Sequence, residues 1–287
     1  MNNQHTVIRT LEGVGAGALY DAFREAFAEY ELQLSSDELT DMLTRRGFCP
    51  ELSFGAFVDG RLVSFIFNGT GYYHQRFTAY DTGTATLKEF RGRGLVTKLF
   101  NHGLPFLAAA GVTCYLLEVL QHNHKAVSVY QSLGLSVSRE FGYFSQSTSA
   151  LVLPEAARDR FVVRRIDLTS WHLMEKFHDY RPSWQNDFEA VKRRFNDFVI
   201  FGLFDSDTLI GYCIFEPGSG DITQLAVHND YRRRGGGSQL LKEAIAINRH
   251  HSIKLINAET TCESVERFLA TFGIPLRGKQ FEMVKLL

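Results

Sequence analysis

Several classes of protein are excluded by what this 287-residue sequence lacks. No apolar stretch approaches the roughly 18 residues of a membrane span. The first residues, MNNQHTVIRTLEG, lack the basic start and apolar run of a signal peptide. A net charge of −1 gives the chain no general attraction to nucleic acid or to an anionic membrane. We therefore expect a cytoplasmic protein whose partners include neither nucleic acid nor a membrane.

Cysteine is also scarce. The four cysteines lie far apart and form no CxxC pair: Cys49, Cys114, Cys213 and Cys262. Cys114 and Cys213 lie in apolar runs, as buried reduced cysteines do. This spacing argues against a disulfide framework and against a zinc site. We predict four reduced cysteines and no bound metal.

Glycine, in contrast, is concentrated in two basic stretches, FRGRGLVTKLF (90–100) and YRRRGGGSQLL (231–241). Each lies between a predicted strand and a predicted helix. Interior glycine costs a helix about 1 kcal/mol relative to alanine, so three glycines at 235–237 require a reason. Backbone amides at a helix start lack intrahelical partners and attract phosphate. Neither stretch fits the Walker loop or the dinucleotide fingerprint, but both are consistent with another kind of phosphate loop.

The two glycine stretches belong to a longer internal repeat. GRLVSFIF (60–67) resembles DTLIGYCIF (207–215), and VYQSLGLSVSREFGYF (129–144) resembles FLATFGIPLRGKQFEM (268–283). With the glycine stretches, the matching pairs occur in the same order, so each copy is a whole domain. The polar segment around Pro154 marks the seam. We predict domains at 1–150 and 160–287.

Each copy has the pattern of an α/β or α+β domain built around a mixed sheet. Its order is two helices, several strands, the glycine loop with a helix, then strand, helix and strand. In the first helix four apolar residues share one face: Leu19, Phe23, Phe27 and Tyr30. The second helix begins with a capping-box pattern, Ser35 with Glu38.

Both glycine loops fit the pattern [RQ]xxGx[GA]. Arg232, Gly235 and Gly237 match it fully, whereas the first loop has Val96 at the last small position. A second pattern, N-x-x-A-x-x-x-Y-x-x-x-G, follows in the first copy with Asn123, Ala126, Tyr130 and Gly134. On these two motifs, in this order, the chain resembles the GNAT superfamily of N-acetyltransferases, as a tandem member, over nearly its whole length.

The resemblance implies a fold and a cofactor site. Each GNAT-like domain would have a mixed, mostly antiparallel central sheet, flanking helices and a splayed pair of parallel strands. Acetyl-CoA would lie in the wedge between those strands, with pantetheine along the backbone of Thr86 and Leu87 and the pyrophosphate on amides from about Arg93 to Lys98. The residues implied for cofactor binding are Thr86, Leu87, Arg91, Arg93, Gly94, Leu95, Val96, Thr97 and Asn123, and in the second copy Val227, Arg232, Arg234, Gly235, Gly236, Gly237 and Ser238.

The resemblance also implies a reaction, direct attack of a primary amine on acetyl-CoA. Tyr130 would protonate the departing thiolate. A general base would assist the amine, and Glu118, on the wedge strand, is our candidate; Asp81, on the opposite strand, is the other carboxylate considered. Either could instead be solvated or ion-paired. The acceptor would be a small-molecule or peptide amine, and the protein a monomer or homodimer.

The two copies are not equivalent. In register on Gly134 and Gly273, Leu269 stands opposite Tyr130. Three arrangements stay open: catalysis in the first copy with the second as scaffold, acetyl-CoA binding in both, or catalysis in the second with another acid. We favour catalysis at Tyr130, and we interpret the three glycines as a sign of binding in the second copy. The alternative function is a catalytically inactive acyl-CoA-binding or sensory module.

Two further segments allow two readings each. Trp184, in RPSWQND (181–187), would either stack on an acceptor or fill the core. The aromatic residues of GTGYYHQRF (69–77) would either shape an acceptor pocket or form a hairpin tip.

Overall fold

The computed structural model describes residues 5–29, 33–153 and 161–287. These residues form two compact units, 1–138 with 281–287, and 139–280. The predicted helix-face position of Tyr30 and the predicted seam at Pro154 lie outside the described residues. No helix in the described part of the chain combines the length and hydropathy that a membrane crossing requires.

The first unit contains four helices and five complete strands. In chain order they are β1 (Thr6–Thr10), α1 (Ala16–Ala26), α2 (Ser36–Arg45), β2 (Phe54–Val58), β3 (Arg61–Tyr73), β4 (Arg76–Thr86), α3 (Leu95–Ala109), β5 (Cys114–Leu120) and α4 (His124–Ser132). Neighbouring strands follow the order β1-β2-β3-β4-β5 and then the end of β12, which is the last strand of the chain.

The remaining elements follow the same plan. They are β6 (Ser136–Ser147), β7 (Val162–Ile166), α5 (Trp171–Met174), α6 (Phe188–Arg193), β8 (Val199–Asp205), β9 (Thr208–Glu216), β10 (Asp221–Val227), α7 (Gly236–Ala246), β11 (Ser252–Glu259), α8 (Glu263–Ala270) and β12 (Leu276–Leu286). In the second unit neighbouring strands follow the order β7-β8-β9-β10-β11-β6.

The last strand of each repeat contributes to the other repeat's unit. Residues 139–147 of β6 belong to the second unit and pair antiparallel with β11. Residues 281–287, which comprise the end of β12 and the residue after it, belong to the first unit. Met283 is fully buried in the hydrophobic core of that first unit. The repeat boundaries predicted from the sequence and the compact units therefore differ in these two strands.

Local sequence explains why the helices begin where they do. The predicted capping box of α2 is present, since Ser35 Oγ accepts from the Glu38 amide at 3.2 Å and Glu38 Oε2 accepts from the Ser35 amide at 2.8 Å. Helix α1 buries Leu19 and Phe23, as its apolar face predicts. Sequence patterns missed β1 and β7, because five-residue edge strands with alternating exposure carry little periodic signal.

The structure decides both segments that the sequence left open. Trp184 is only 1% exposed, so it fills the core of the second unit. Strands β3 and β4 pair as far as Tyr73 and Arg76, so residues 69–77 form the tip of a long hairpin. Tyr72 projects from this tip and is 71% exposed. The mixed sheets, antiparallel except at β4–β5 and β10–β11 among the pairings described, confirm the predicted fold class.

Candidate active site

The predicted wedge lies between β4 and β5. These parallel strands pair only from Thr78 with Cys114 to Tyr80 with Leu116, and beyond this point they separate. On its other side β4 stays paired to β3, but the register slips at Thr82, which forms a bulge. The strands therefore diverge just where Asp81 begins the open part of β4.

The first glycine loop leads directly into α3. Gly94 is the N-cap and has φ of +68°, a left-handed conformation that favours glycine. The Lys98 amide donates to the Gly94 carbonyl at 3.1 Å. The amides of Leu95, Val96 and Thr97 precede that bond and have no acceptor within the helix. These three amides are the ones open to the predicted anion, whereas the Lys98 amide is already used inside the helix.

Arg91, predicted to bind the cofactor, holds the loop to the rest of the unit. Its Nε donates to the Thr86 carbonyl at 3.1 Å, and its Nη2 donates to the Ala26 carbonyl at 3.1 Å. Its Nη1 lies 3.3 Å from a carboxylate oxygen of Glu29. The guanidinium thus joins the end of β4 to the end of α1, and the Glu29 carboxylate partly neutralises its charge.

The backbone expectation at Leu87 is wrong. Its amide donates to the Val63 carbonyl on β3 at 2.9 Å, and its carbonyl accepts from Phe90 at 2.9 Å. Both groups are therefore engaged within the unit. Successive residues of a strand direct their backbone groups to opposite sides, so the Thr86 amide faces away from β3, toward the wedge side. Thr86 is the residue of this pair that can pair with an extended ligand.

Tyr130 and Asp81 meet where the strands separate. The Tyr130 hydroxyl donates to Asp81 Oδ2 at 3.3 Å. The same carboxylate accepts from Thr84 Oγ1 at 2.7 Å and from the Gly83 amide at 3.0 Å. Asp81 is 8% exposed. Helix α4 thus brings the predicted catalytic tyrosine to a buried carboxylate at the inner end of the wedge, where β4 and β5 begin to separate.

Burial dominates the electrostatics of this carboxylate. It raises the pKa of Asp81 to about 6, and the hydrogen bonds from Thr84, Gly83 and Tyr130 and the charge of Arg46 oppose that rise. Taking a carboxylate out of water disfavours its charged form, whereas donors favour it. A group that titrates near pH 6 can both accept and return a proton under ordinary conditions.

Glu118, our candidate base, lies on β5 beyond the last paired residue. It accepts a short hydrogen bond from the hydroxyl of Tyr80, a buried residue on β4. Burial raises the pKa of Tyr80 well above its ordinary value, and the Glu118 charge adds to this rise. Tyr80 therefore stays protonated and keeps donating to Glu118. The structure brings Glu118 to the wedge but gives it a partner there.

The other predicted residues of the first copy surround this site. Asn123 is the N-cap of α4, and its Oδ1 accepts from the Ala126 amide at 3.3 Å. The Arg93 guanidinium lies 4.7 Å from the centre of the Phe90 ring and donates to the Glu89 carbonyl. Asn123 therefore has a structural task, and Arg93 sits beside the loop as an exposed cation.

In the second unit two of the three loop glycines have local explanations. Gly235 is the N-cap of α7 with φ of +90°. A Cβ on Gly236 would overlap the Leu203 side chain, and one on Gly237 would lie 3.4 Å from the Phe268 ring. Backbone conformation thus accounts for Gly235 and packing for Gly236, whereas neither requires glycine at 237. Our interpretation of the run as a sign of ligand binding therefore rests on Gly237 alone and stays a prediction.

Arg232 repeats the arrangement of Arg91. Its Nε donates to the Val227 carbonyl at 2.8 Å and its Nη2 to the Phe177 carbonyl at 3.2 Å. Its Nη1 lies 2.6 Å from an Asp179 carboxylate oxygen. Beside it, the Arg234 guanidinium lies 5.5 Å from the centre of the Tyr231 ring. Ser238, the remaining predicted residue, lies in the first turn of α7.

The wedge of the second unit is filled by the protein itself. Strands β10 and β11 pair in parallel at Asp221 with Lys254. Beyond that point the segment 183–186, hereafter the strap, connects them. Asn186 Nδ2 donates to the Ile256 carbonyl on β11 at 2.9 Å, and Gln224 Nε2 on β10 donates to the Asn186 carbonyl at 2.6 Å. All four strap residues are buried.

Further hydrogen bonds fix the strap from both sides. Asn257 Nδ2 donates to Ser183 Oγ at 2.8 Å, and the Tyr212 hydroxyl donates to Gln224 Oε1 at 2.5 Å. His178 shares a short hydrogen bond with that hydroxyl, and burial lowers the pKa of His178 to about 4. The remaining cavity, about 40 Å³, is lined by strap and strand residues that include Asn186 and Gln224. A cavity of that size holds about one water molecule.

The titratable groups of the first wedge are missing from the second. In register on the two loop arginines, Ile222 replaces Asp81. In register on Gly134 and Gly273, Asn257 replaces Glu118 and Leu269 replaces Tyr130. The second unit thus has apolar or amide side chains at the three positions where the first unit has titratable ones.

A splayed parallel strand pair beside an uncapped, glycine-led helix, present in both units, is the framework of a GNAT-type acyltransferase. The sequence model of the acetyltransferase (GNAT) family matches residues 17–135 and 165–272. The chain belongs to this family and carries it in tandem. Both matches end before the strands that the two units exchange.

Individual proteins agree with this assignment. N-alpha-acetyltransferase MAK3 of Arabidopsis thaliana is 29% identical over 105 residues, which is 36% of this chain and 55% of that protein. The chain thus spans about half the length of this relative. Among solved structures, a GCN5-related N-acetyltransferase from Sphaerobacter thermophilus superposes with a TM-score of 0.74 and 16% identity, over 98% of this chain and 95% of that one. A tandem GNAT protein from the clavulanic acid biosynthesis pathway gives 0.73 and 13% identity, over 98% of both chains.

Proposed function

We propose that the protein is an acetyl-CoA-dependent N-acetyltransferase that acts on a primary amine, with its catalytic site in the first unit. The observation that carries the proposal is the meeting of Tyr130 and Asp81 where β4 and β5 separate. This pair provides a proton donor and a proton acceptor within one hydrogen bond. Asp81 lies on the same strand as Thr86, whose end leads into the glycine loop that would hold the cofactor.

The first unit offers matching groups for the pyrophosphate and the pantetheine arm of acetyl-CoA. The amides of Leu95, Val96 and Thr97 would bind the pyrophosphate, and Arg93 and Lys98 would add positive charge. The Thr86 amide would pair with the extended pantetheine arm as a neighbouring strand does. This arrangement would bring the thioester to the point where the two strands part, beside Tyr130.

The residues of the wedge would then manage protons. An amine attacks only after it has lost its proton, because the free ammonium has a pKa near 10. A carboxylate, Glu118 or Asp81, would take a proton from the amine, and Tyr130 would give one to the departing thiolate. The thioester itself supplies the acyl group. The acceptor would be a small-molecule or peptide amine.

The second unit would act as a scaffold and would not itself catalyse acyl transfer. Its wedge is bridged by the strap, and the groups at the three corresponding positions carry no protons to transfer. The second loop, with its free helix amides, stays a predicted phosphate contact. We therefore expect one productive acetyl-CoA site per chain.

A thiol-release assay tests the proposed function. Purified protein is incubated with acetyl-CoA and a panel of primary amines: a peptide with a free N-terminus, a lysine peptide, a polyamine and free amino acids. The N-terminal peptide is included because the plant relative is named for N-alpha acetylation. We expect acetyl-CoA-dependent turnover of at least one amine, and a loss of about 10²–10⁴-fold in Tyr130→Phe, the range for removing a general acid.

The control for this assay is Tyr143→Phe, which removes a half-buried hydroxyl on β6, outside the first unit. It should keep the wild-type rate. Equal rates for Tyr130→Phe and wild type would remove Tyr130 from the mechanism. Binding of acetyl-CoA without turnover of any amine would favour the inactive acyl-CoA-binding module instead.

A further inference from the structure

We propose that Asp81 and Tyr130 form a closed proton circuit, in which Asp81 takes the proton of the amine and returns it to Tyr130 after Tyr130 has protonated the leaving thiolate. This inference rests on the proposed function and assigns the base of the same site. It replaces Glu118 by Asp81 in that role. The circuit would complete each turnover without a proton from bulk water.

The geometry provides the circuit in one hydrogen bond. Asp81 is the first residue of β4 beyond its last pair with β5, so it stands at the inner end of the wedge. Its Oδ2 accepts from the Tyr130 hydroxyl at 3.3 Å and from Thr84 Oγ1 at 2.7 Å. Its Oδ1 accepts from the Gly83 amide at 3.0 Å. These contacts hold the carboxylate in one orientation toward the tyrosine.

Charged and titratable groups from several elements act on Asp81 or respond to its charge. Tyr130 lies on α4, Tyr115 on β5, Arg46 directly after α2, and Tyr80 on β4 itself. Arg46 favours the charged carboxylate, and its Nη1 also donates to the Thr82 carbonyl at 3.0 Å, which fixes it beside the bulge. Burial outweighs this cation, and it raises the pKa of Asp81 to about 6. The carboxylate is therefore charged, and ready to accept a proton, at neutral pH.

The proton and electron balance is complete. The ammonium form first releases its extra proton to water, so Asp81 is still charged when the amine attacks. The neutral amine then forms the new C–N bond, and the C–S bond of the thioester breaks with its electron pair on sulfur. One amine proton passes to Asp81. The sulfur takes the hydroxyl proton of Tyr130, and the resulting tyrosinate takes the proton from Asp81 along their hydrogen bond. The products are an amide and a thiol, and both side chains return to their starting states.

Glu118 is placed differently. It accepts the hydroxyl proton of Tyr80, whose raised pKa keeps that donor in place. Glu118 is hydrogen-bonded to the buried Tyr80 and not to Tyr130. A proton taken by Glu118 would therefore have no direct hydrogen bond along which to reach Tyr130. We expect Glu118 to hold β4 and β5 in their diverging geometry.

The experiment compares pH–rate profiles of the full-length protein with the best amine of the panel and saturating acetyl-CoA. Wild-type kcat should rise with pH through about 6, as Asp81 ionises. Asp81→Asn should lose about 100-fold in kcat with an unchanged KM for acetyl-CoA. Its pH–rate profile should also lose the acidic limb, which is the rise of kcat through about pH 6. Asp81→Asn with Tyr130→Phe should lose no more than the larger single effect, because the two groups act as a unit.

Two matched variants separate this circuit from a structural role. Thr84→Val removes one donor to the carboxylate, so it should move the acidic limb to higher pH while leaving the fold intact. Glu118→Gln should keep the limb in place. An acidic limb that persists in Asp81→Asn, or that disappears in Glu118→Gln, would overturn the assignment. Circular dichroism spectra identify any variant that fails to fold.

A measurement without an acceptor distinguishes this inference from the proposed function. The ¹³C signal of the Asp81 carboxyl, identified by its loss in Asp81→Asn, should titrate near pH 6. In Tyr130→Phe it should titrate at higher pH, because a donor has gone. A signal unmoved by Tyr130→Phe would refute the coupling even in an active enzyme. Absence of turnover in wild type, with the coupling intact, would instead refute the proposed reaction.

Discussion

At the scale of single residues, the two repeats share the groups that shape the loop and differ in the groups that carry protons. Arg91 and Arg232 each bind two carbonyls and a carboxylate. The N-cap glycines of α3 and α7 both have positive φ. Tyr130, however, is matched by Leu269. A loop of the same shape is therefore present both with and without the tyrosine, so the glycine motif alone does not identify the catalytic unit.

The sharpest residue-scale prediction concerns the second position of the two loop helices. Val96→Glu would put a carboxylate beside the diphosphate of acetyl-CoA, and we expect binding to weaken at least 10-fold, measured by isothermal titration calorimetry. Its fold should survive, because acidic residues suit a helix start. Val96→Ala, which restores the small residue of the motif, should bind as well as wild type.

The corresponding change in the second loop is Gly237→Glu. If the first unit holds the productive site, this variant should keep tight binding and turnover, although its stability falls where the side chain meets Phe268. Tight binding retained in Val96→Glu but lost in Gly237→Glu would move the site to the second unit. A stoichiometry of two in wild type would show that the second loop also binds.

At the scale of elements, an arginine fixes each glycine loop to the elements on both sides. Arg232 ties the end of β10 to the segment that follows α5, through Val227, Phe177 and Asp179. Its planar guanidinium reaches all three acceptors at once, which an ammonium group does not do. The arginine of the [RQ]xxGx[GA] pattern thus acts here mainly on loop geometry.

We predict that Arg232→Ala lowers the free energy of unfolding of the second unit by about 2–4 kcal/mol, because a charge-assisted bond and two half-buried bonds disappear. Arg232→Lys should recover less than half of this loss. Intrinsic fluorescence during urea unfolding measures it, since both tryptophans, Trp171 and Trp184, lie in the second unit. Arg233→Ala is the control, since that side chain is exposed. Equal stability of the two alanine variants would contradict this stabilising role of Arg232.

At the scale of the whole molecule, neither unit is built from one repeat alone. The first unit includes residues 281–287, and the second includes residues 139–147. Met283 is fully buried among core residues of the first unit, and Lys285 Nζ donates to the Leu133 carbonyl at 2.8 Å. The stability of the first unit therefore depends on the far end of the described chain.

Met283→Ala tests this dependence. Removing a buried methionine side chain should cost about 2–5 kcal/mol, and the cost should fall on the first unit. Hydrogen exchange read by mass spectrometry should show faster exchange in β3–β5 and little change in β9 and β10. Leu276→Ala, in the other half of β12, packs against the core of the second unit and should give the opposite pattern. Faster exchange in the second unit for Met283→Ala would contradict the exchange of strands.

The sequence by itself determined the repeat, the order of elements and the family, because these depend on local periodicity and short motifs. The capping box of α2 and the glycine-led start of the loop helices follow from such patterns, and the wedge between two parallel strands follows from the family resemblance that the motifs carry. Glycine at a left-handed position and alternating apolar residues act within a few residues of one another, so they can be read along the chain.

Only the tertiary structure decided which groups meet. The pairing of Asp81 with Tyr130, the bond of Tyr80 to Glu118, the filling of the second wedge by the strap and the exchange of β6 and β12 all join residues distant in sequence. Packing also explained Gly236, which the sequence favoured as a ligand contact. Such contacts depend on how strands pair and which side chains are buried together, and no local pattern encodes that.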